Sequence, residues 1–134
     1  MSGRALQLIW PDSEVAEVAW RDGGLLTLRF AAAHVRQGGL AFDEEALGYL
    51  PGLLLHCEGV AAPPDGLADA LGRLAEGRWL VNGQPMRGWP LGMALQGALQ
   101  LQLRFANGCE LDIGATGAHL VCPPEATFRP SLAC

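Results

Sequence analysis

The sequence predicts a mainly β protein: an antiparallel two-layer sandwich or small closed barrel built from two meander halves, with one or two short helices. Three observations carry that prediction. The stretch Leu26-Thr27-Leu28-Arg29-Phe30 recurs almost letter for letter as Leu101-Gln102-Leu103-Arg104-Phe105. In both copies apolar and polar residues alternate, which gives a strand one dry and one wet face, so each copy needs a second layer over its Leu and Phe side chains. Glycine-bearing turn sequences, Asp22-Gly23-Gly24, Asn82-Gly83 and Asn107-Gly108, separate the alternating stretches at hairpin spacing.

The first hairpin runs from Val15 to Phe30. A three-residue loop Asp22-Gly23-Gly24 sets Trp20 opposite Leu26, Val18 opposite Leu28 and Ala16 opposite Phe30, keeping both apolar sets on one side, whereas a two-residue loop would separate them. Such loops place a left-handed residue last, and Gly24 suits that position. A helical turn is expected from Asp43, where Glu44 and Glu45 favour a helix start and Gly48 and Pro51 keep it short. Leu53, Leu55 and Cys57 then alternate with Leu54, His56 and Glu58 in a well-buried strand that stops at Gly59.

Ala61-Ala62-Pro63-Pro64 reads as a connector. Beyond it Leu67, Leu71 and Leu74 carry helical spacing, with Asp65 as N-cap and Gly77 as stop, so one short helix is expected there. A third hairpin, Arg78 to Met86, turns at Asn82-Gly83 and sets Trp79 opposite Met86, while Pro85 marks its second strand as an edge. The last hairpin tests the obvious Asn-Gly turn by parity. A two-residue loop would set Leu103 beside Asp112, but Ala106-Asn107-Gly108 as the loop sets Phe105 opposite Cys109, Leu103 opposite Leu111 and Leu101 opposite Ile113. The inward set is therefore Val18, Trp20, Leu26, Leu28, Phe30, Leu55, Trp79, Leu101, Leu103, Phe105, Leu111 and Ile113.

A chain of 134 residues, half of them hydrophobic, is the size of one domain and supplies one core without disulfide or metal staples. The expected organisation of 1–134 is two strand-rich halves at about 5–60 and 78–122, a connector and short helix over 61–77, and an extended tail over 123–134. The halves do not read as a sequence repeat, because Ala31-Ala32-Ala33-His34 after Phe30 does not reproduce Asn107-Gly108. Convergence on the same strand physics explains the echo as well as duplication does.

No secretory leader opens the chain and no run reaches the roughly 20 apolar residues that cross a bilayer, so a cytoplasmic protein is expected, with Cys57, Cys109, Cys122 and Cys134 free. A net charge of −5 and a pI near 5.0 work against nucleic acid, since an acidic surface repels phosphates. All nine basic residues are arginine, which fits the usage of a GC-rich genome.

Chemistry-bearing patterns are sparse. His56-Cys57 and His119-Leu120-Val121-Cys122 offer zinc-type ligands, but side chains one or three positions apart on a strand point to opposite faces, so no metal site and no cofactor is expected. The three serines, Ser2, Ser13 and Ser131, lack a nucleophile-elbow context, and Cys57 and Cys109 are phased with apolar faces. Asp22-Gly23-Gly24 and Gly38-Gly39 are turn chemistry, not phosphate cradles. What remains is aromatic and arginine-rich: Arg29 and Arg104 at matching places on the two echoed strands, with Arg78, Arg87 and Trp89 on or just beyond the third hairpin. Guanidinium groups beside Trp rings suit a carboxylate, an aromatic ligand or a protein interface.

These patterns favour a non-catalytic binding or assembly module, a homodimer or a partner-binding protein whose exposed edge near Pro85 to Pro90 meets another protein. Leu25, Leu54 and Leu80, which the phasing leaves outside the core, point the same way. The alternative is a small-molecule carrier holding an apolar or anionic ligand in a barrel interior or a cleft between the halves. An enzyme would require His34, His56 or His119 to converge with a carboxylate or thiol.

Overall fold

The computed structural model describes residues 5–38, 46–86, 89–90, 94–123 and 129–130, with 5–6, 37–38, 46, 89–90 and 129–130 described in backbone alone. Eleven strands follow in order: β1 (Ala5–Leu8), β2 (Glu14–Arg21), β3 (Leu25–Gly38), β4 (Ala46–Leu50), β5 (Leu54–Glu58), β6 (Gly72–Val81), β7 (Gln84–Met86), β8 (Trp89–Pro90), β9 (Ala94–Phe105), β10 (Glu110–Val121) and β11 (Arg129–Pro130). All pairings are antiparallel. Six strands close on themselves in the order β3-β2-β6-β9-β10-β5, the ring completed by β5 against β3.

Closure follows from the length of β3. Its first part pairs with β2 and β5 inside the ring, while its second part, from Ala33 onward, leaves the ring and pairs with β1 and β4. Those two carry β8 and β11, so a side sheet β8-β1-β3-β4-β11 grows from the same strand. Ser13, fully buried, fixes the junction: its hydroxyl donates to the Ile9 carbonyl at 2.7 Å and accepts from the His34 backbone N–H at 2.8 Å.

The barrel is filled by side chains from every strand of the ring. Leu28 and Leu103 belong to one cluster with Phe30, Leu55, Trp79, Leu101, Phe105, Leu111 and Ile113, all buried, and Val18 and Trp20 pack against it half-buried. Trp10, in the loop after β1, enters the same interior, its ring centre 6.4 Å from Phe30 and 5.9 Å from Trp79. It fits because Gly77 has no side chain: a Cβ there would stand 2.7 Å from Trp10 and 2.8 Å from Leu103.

The hairpin registers match expectation with one exception. Trp20 faces Leu26 and Val18 faces Leu28, with Gly24 at φ 85°, but Val15 rather than Ala16 faces Phe30, because a bulge at Ala16 adds one residue to β2. Leu103 faces Leu111 and Leu101 faces Ile113, and the Phe105 N–H donates to the Cys109 carbonyl at 2.8 Å across a loop with Gly108 at φ 91°. Trp79 faces Met86, and among the described residues β7 pairs only with β6, as expected of a strand that carries a proline.

The helix over 65–77 is a correction. Only Leu67–Asp69 forms a single 3₁₀ turn, with no side-chain cap, and from Gly72 the chain is strand β6, in which Gly77 lies mid-strand rather than at a stop. Three leucines at helical spacing are a weak signal beside the pairing that β6 gains from β9 along one whole edge. The helical turn at Asp43 lies outside the described residues, as does most of the tail, of which Arg129–Pro130 is strand β11.

Recognising β6 as a strand exposes a longer repeat than the echoed pentapeptide. Val15-Ala16-Glu17-Val18-Ala19-Trp20 in β2 corresponds to Leu74-Ala75-Glu76-Gly77-Arg78-Trp79 in β6. Each has its bulge at the alanine, each pairs its Trp with the first Leu of the echoed strand, and each sets its Glu against the arginine of that strand. The arcs β2-β3-β5 and β6-β9-β10 thus share one order, and the ring joins first strand to first and last to last. The expectation that the halves do not form a sequence repeat failed because the helical reading of 65–77 removed half of the second copy.

Candidate functional site

The pleat of β6, β9 and β10 sends Leu103 and Leu111 inward and aligns polar side chains outward in rows. One row is Glu76, Arg104 and Glu110; the next is Arg78, Gln102 and Asp112. Together with Asp65 and Gly77 they line an open trough of about 580 Å³. The Arg78 Nε donates to Gln102 Oε1 at 2.7 Å, and Arg104 is ion-paired with Glu76. One step along, Gln100 Nε2 donates to Asp112 Oδ1 at 3.1 Å. Four carboxylates against two guanidinium groups leave the trough acidic.

Two of the five residues singled out from the sequence, Arg78 and Arg104, therefore meet in one trough. Arg29 does not join them. Strands β3 and β9 are the middle strands of opposite arcs, so their outer faces point away from each other, and Arg29 pairs instead with Glu17 at 3.5 Å. Arg78 and Trp79 do not share a face: alternation along β6 places Arg78 outside and Trp79 inside, 1 % exposed. Arg87 lies outside the described residues. Trp89 belongs to β8, opposite Leu8 of β1, so Pro85 to Pro90 is not one continuous edge: β7 flanks β6 and β8 flanks β1.

The opposite outer face is built differently. Thr27, His56 and His119 lie in one row across β3, β5 and β10, with Arg29, Leu54 and Val121 in the next. The ring centres of His56 and His119 are 5.1 Å apart, and Thr27 Oγ1 lies 3.1 Å from His56 Nδ1. Partial burial holds His56 below its usual 6.5, assisted by the neighbouring His119 and Arg21 and opposed by Glu58. Reading each strand separately could not find this pair, because its members are far apart in sequence and meet only through the β5–β10 pairing.

None of the three described thiols is activated. Burial pushes the Cys57 thiol up to about 12, and Cys109 and Cys122 are also raised, Cys109 by burial and by Asp69 and Glu110. His34 stacks on Tyr49, ring centres 5.2 Å apart, and its Nδ1 lies 3.0 Å from the Pro11 carbonyl, while Ser13 contacts the His34 backbone and not its ring. Among the described residues no three or more His, Cys, Asp or Glu side chains gather as a metal cluster, and no helix is long and apolar enough to cross a membrane.

What fold and surface define is a closed antiparallel barrel with a side sheet and two unlike outer faces. No protein-family model matches the sequence, and neither a curated protein nor a solved structure matches it.

Proposed function

We propose that this chain is a non-catalytic binding module whose contact surface is the trough over β6, β9 and β10. The observation that carries the reading is the trough's lining: five charged residues and a glutamine in facing rows on β6, β9 and β10, with Asp65 beside them and neither a histidine nor a thiol among the lining residues. Rigid strands hold these groups in fixed rows, so a partner meets them preorganised. Both guanidinium groups are already engaged, Arg78 by Gln102 and Arg104 by Glu76, and the four carboxylates dominate. The complementary partner is an extended protein segment bearing Arg or Lys side chains, from another protein or a second copy of this chain. The packed interior offers no argument for a ligand inside the barrel, so the carrier alternative rests on the trough as well.

Fluorescence anisotropy with extended basic and acidic peptides tests this reading. Basic peptides are expected to bind more tightly, with affinity falling as salt rises, and Glu110→Arg with Asp112→Arg is expected to reverse the preference. Equal binding of both peptide classes, or no response to the double substitution in a folded chain, overturns it. Sedimentation across a concentration series then reports whether the partner is another copy.

A further inference from the structure

We propose that His56 and His119 form a binding site for a late first-row divalent cation such as Zn²⁺, on the outer face of the β5–β10 seam. The two residues are directly opposed in the antiparallel register, so both side chains leave the same face. Strand β5 is paired on both edges, with β3 and β10, which fixes the backbone separation from which the rings project. An ion about 2.0–2.1 Å from one nitrogen of each ring stands about 3.2 Å from each ring centre, and a tetrahedral angle then separates the centres by about 5.2 Å. The observed separation is 5.1 Å.

The surroundings prepare His56 as a ligand. Thr27 Oγ1 lies 3.1 Å from His56 Nδ1 and can accept from Nδ1–H, the tautomer that puts the lone pair on Nε2 and in which an outer partner orients a metal-binding histidine. Glu58 lies two residues along the same strand and supplies negative charge. Two imidazoles select Zn²⁺, Ni²⁺ or Cu²⁺ over Mg²⁺ or Ca²⁺, which prefer oxygen ligands. Since only two side chains converge, water completes the coordination and the ion is exchangeable.

The test is calorimetric titration of the untagged full chain with ZnCl₂, with MgCl₂ as control, alongside NMR of the histidine ring signals. Expected are saturable Zn²⁺ binding, joint shifts of the His56 and His119 rings, and no response to Mg²⁺. His56→Gln and His119→Gln should each weaken binding by at least about tenfold, and Thr27→Val by about tenfold. Zn²⁺ affinity unchanged in both Gln variants, or no saturable binding at millimolar Zn²⁺, overturns the proposal. Should a Gln variant lose its fold, the wild-type rings decide: Zn²⁺ must perturb both, and a shift confined to other residues refutes the site.

Discussion

Single residues in this barrel are defined by the face they occupy. His56 and Cys57 are adjacent in sequence and opposite in circumstance: one lies on the outer row beside His119, the other is fully buried, its thiol pushed up to about 12. His56 couples its face to pH. Because folding lowers its pKa below the 6.5 of the unfolded chain, the unfolded state takes up protons first. The folded state is thus unpenalised above pH 6.5 and loses stability as pH falls from 6.5 through the lowered folded value. Midpoints from NMR titration should place His56 below 6.5 and move it upward in His119→Gln, which deletes the second cause of the shift. A His56 midpoint at or above 6.5 in the native chain contradicts this account.

At the scale of elements, hairpin loops and one close approach decide the registers. Gly108 and Gly77 separate two reasons for glycine. A Cβ at Gly108 meets nothing within 4 Å, so its requirement is purely the left-handed backbone at φ 91°. Gly77 has no such φ, but a Cβ would press on Trp10 and Leu103. Gly108→Ala should cost about 1–2 kcal/mol through backbone conformation. Gly77→Ala should cost about 1–3 kcal/mol through overpacking. Only the second should disturb the indole environment: a change in near-UV dichroism or Trp fluorescence accompanies Gly77→Ala and not Gly108→Ala. If denaturant titration shows Gly77→Ala to be neutral, Trp10 does not occupy the interior as described.

Across the whole molecule, two arcs of one design enclose one core but expose unlike surfaces. Positions corresponding through the repeat differ on the outside: Ala19 against Arg78, Thr27 against Gln102, Leu54 against Glu110 and His56 against Asp112. Inside, they are conserved in kind, with Trp20 and Trp79 each beside a leucine of the echoed strand. One face is a charged trough, the other a mixed patch with paired histidines beside Leu54 and Val121. Because Leu28 and Leu103 sit in the same cluster, Leu28→Ala and Leu103→Ala should each lower stability by about 2–5 kcal/mol. Both should retain a single unfolding transition seen identically by far-UV dichroism and Trp fluorescence. Two separated transitions would mean that the arcs hold independent cores.

The sequence by itself determined which strands alternate, the length of three hairpin loops, the glycine positions in two of them and nearly all of the inward set. Those features follow from side-chain parity and turn geometry, which act over a few residues. Tertiary structure decided the rest. Whether residues 72–81 became strand depended on the edge that β9 offered, and that choice hid both the repeat and the row containing Glu76 and Arg78. Closure of the ring then put Arg29 on the far side from Arg104 and brought His56 to His119. Neither outcome is written in local spacing, since both depend on which distant strands share hydrogen bonds.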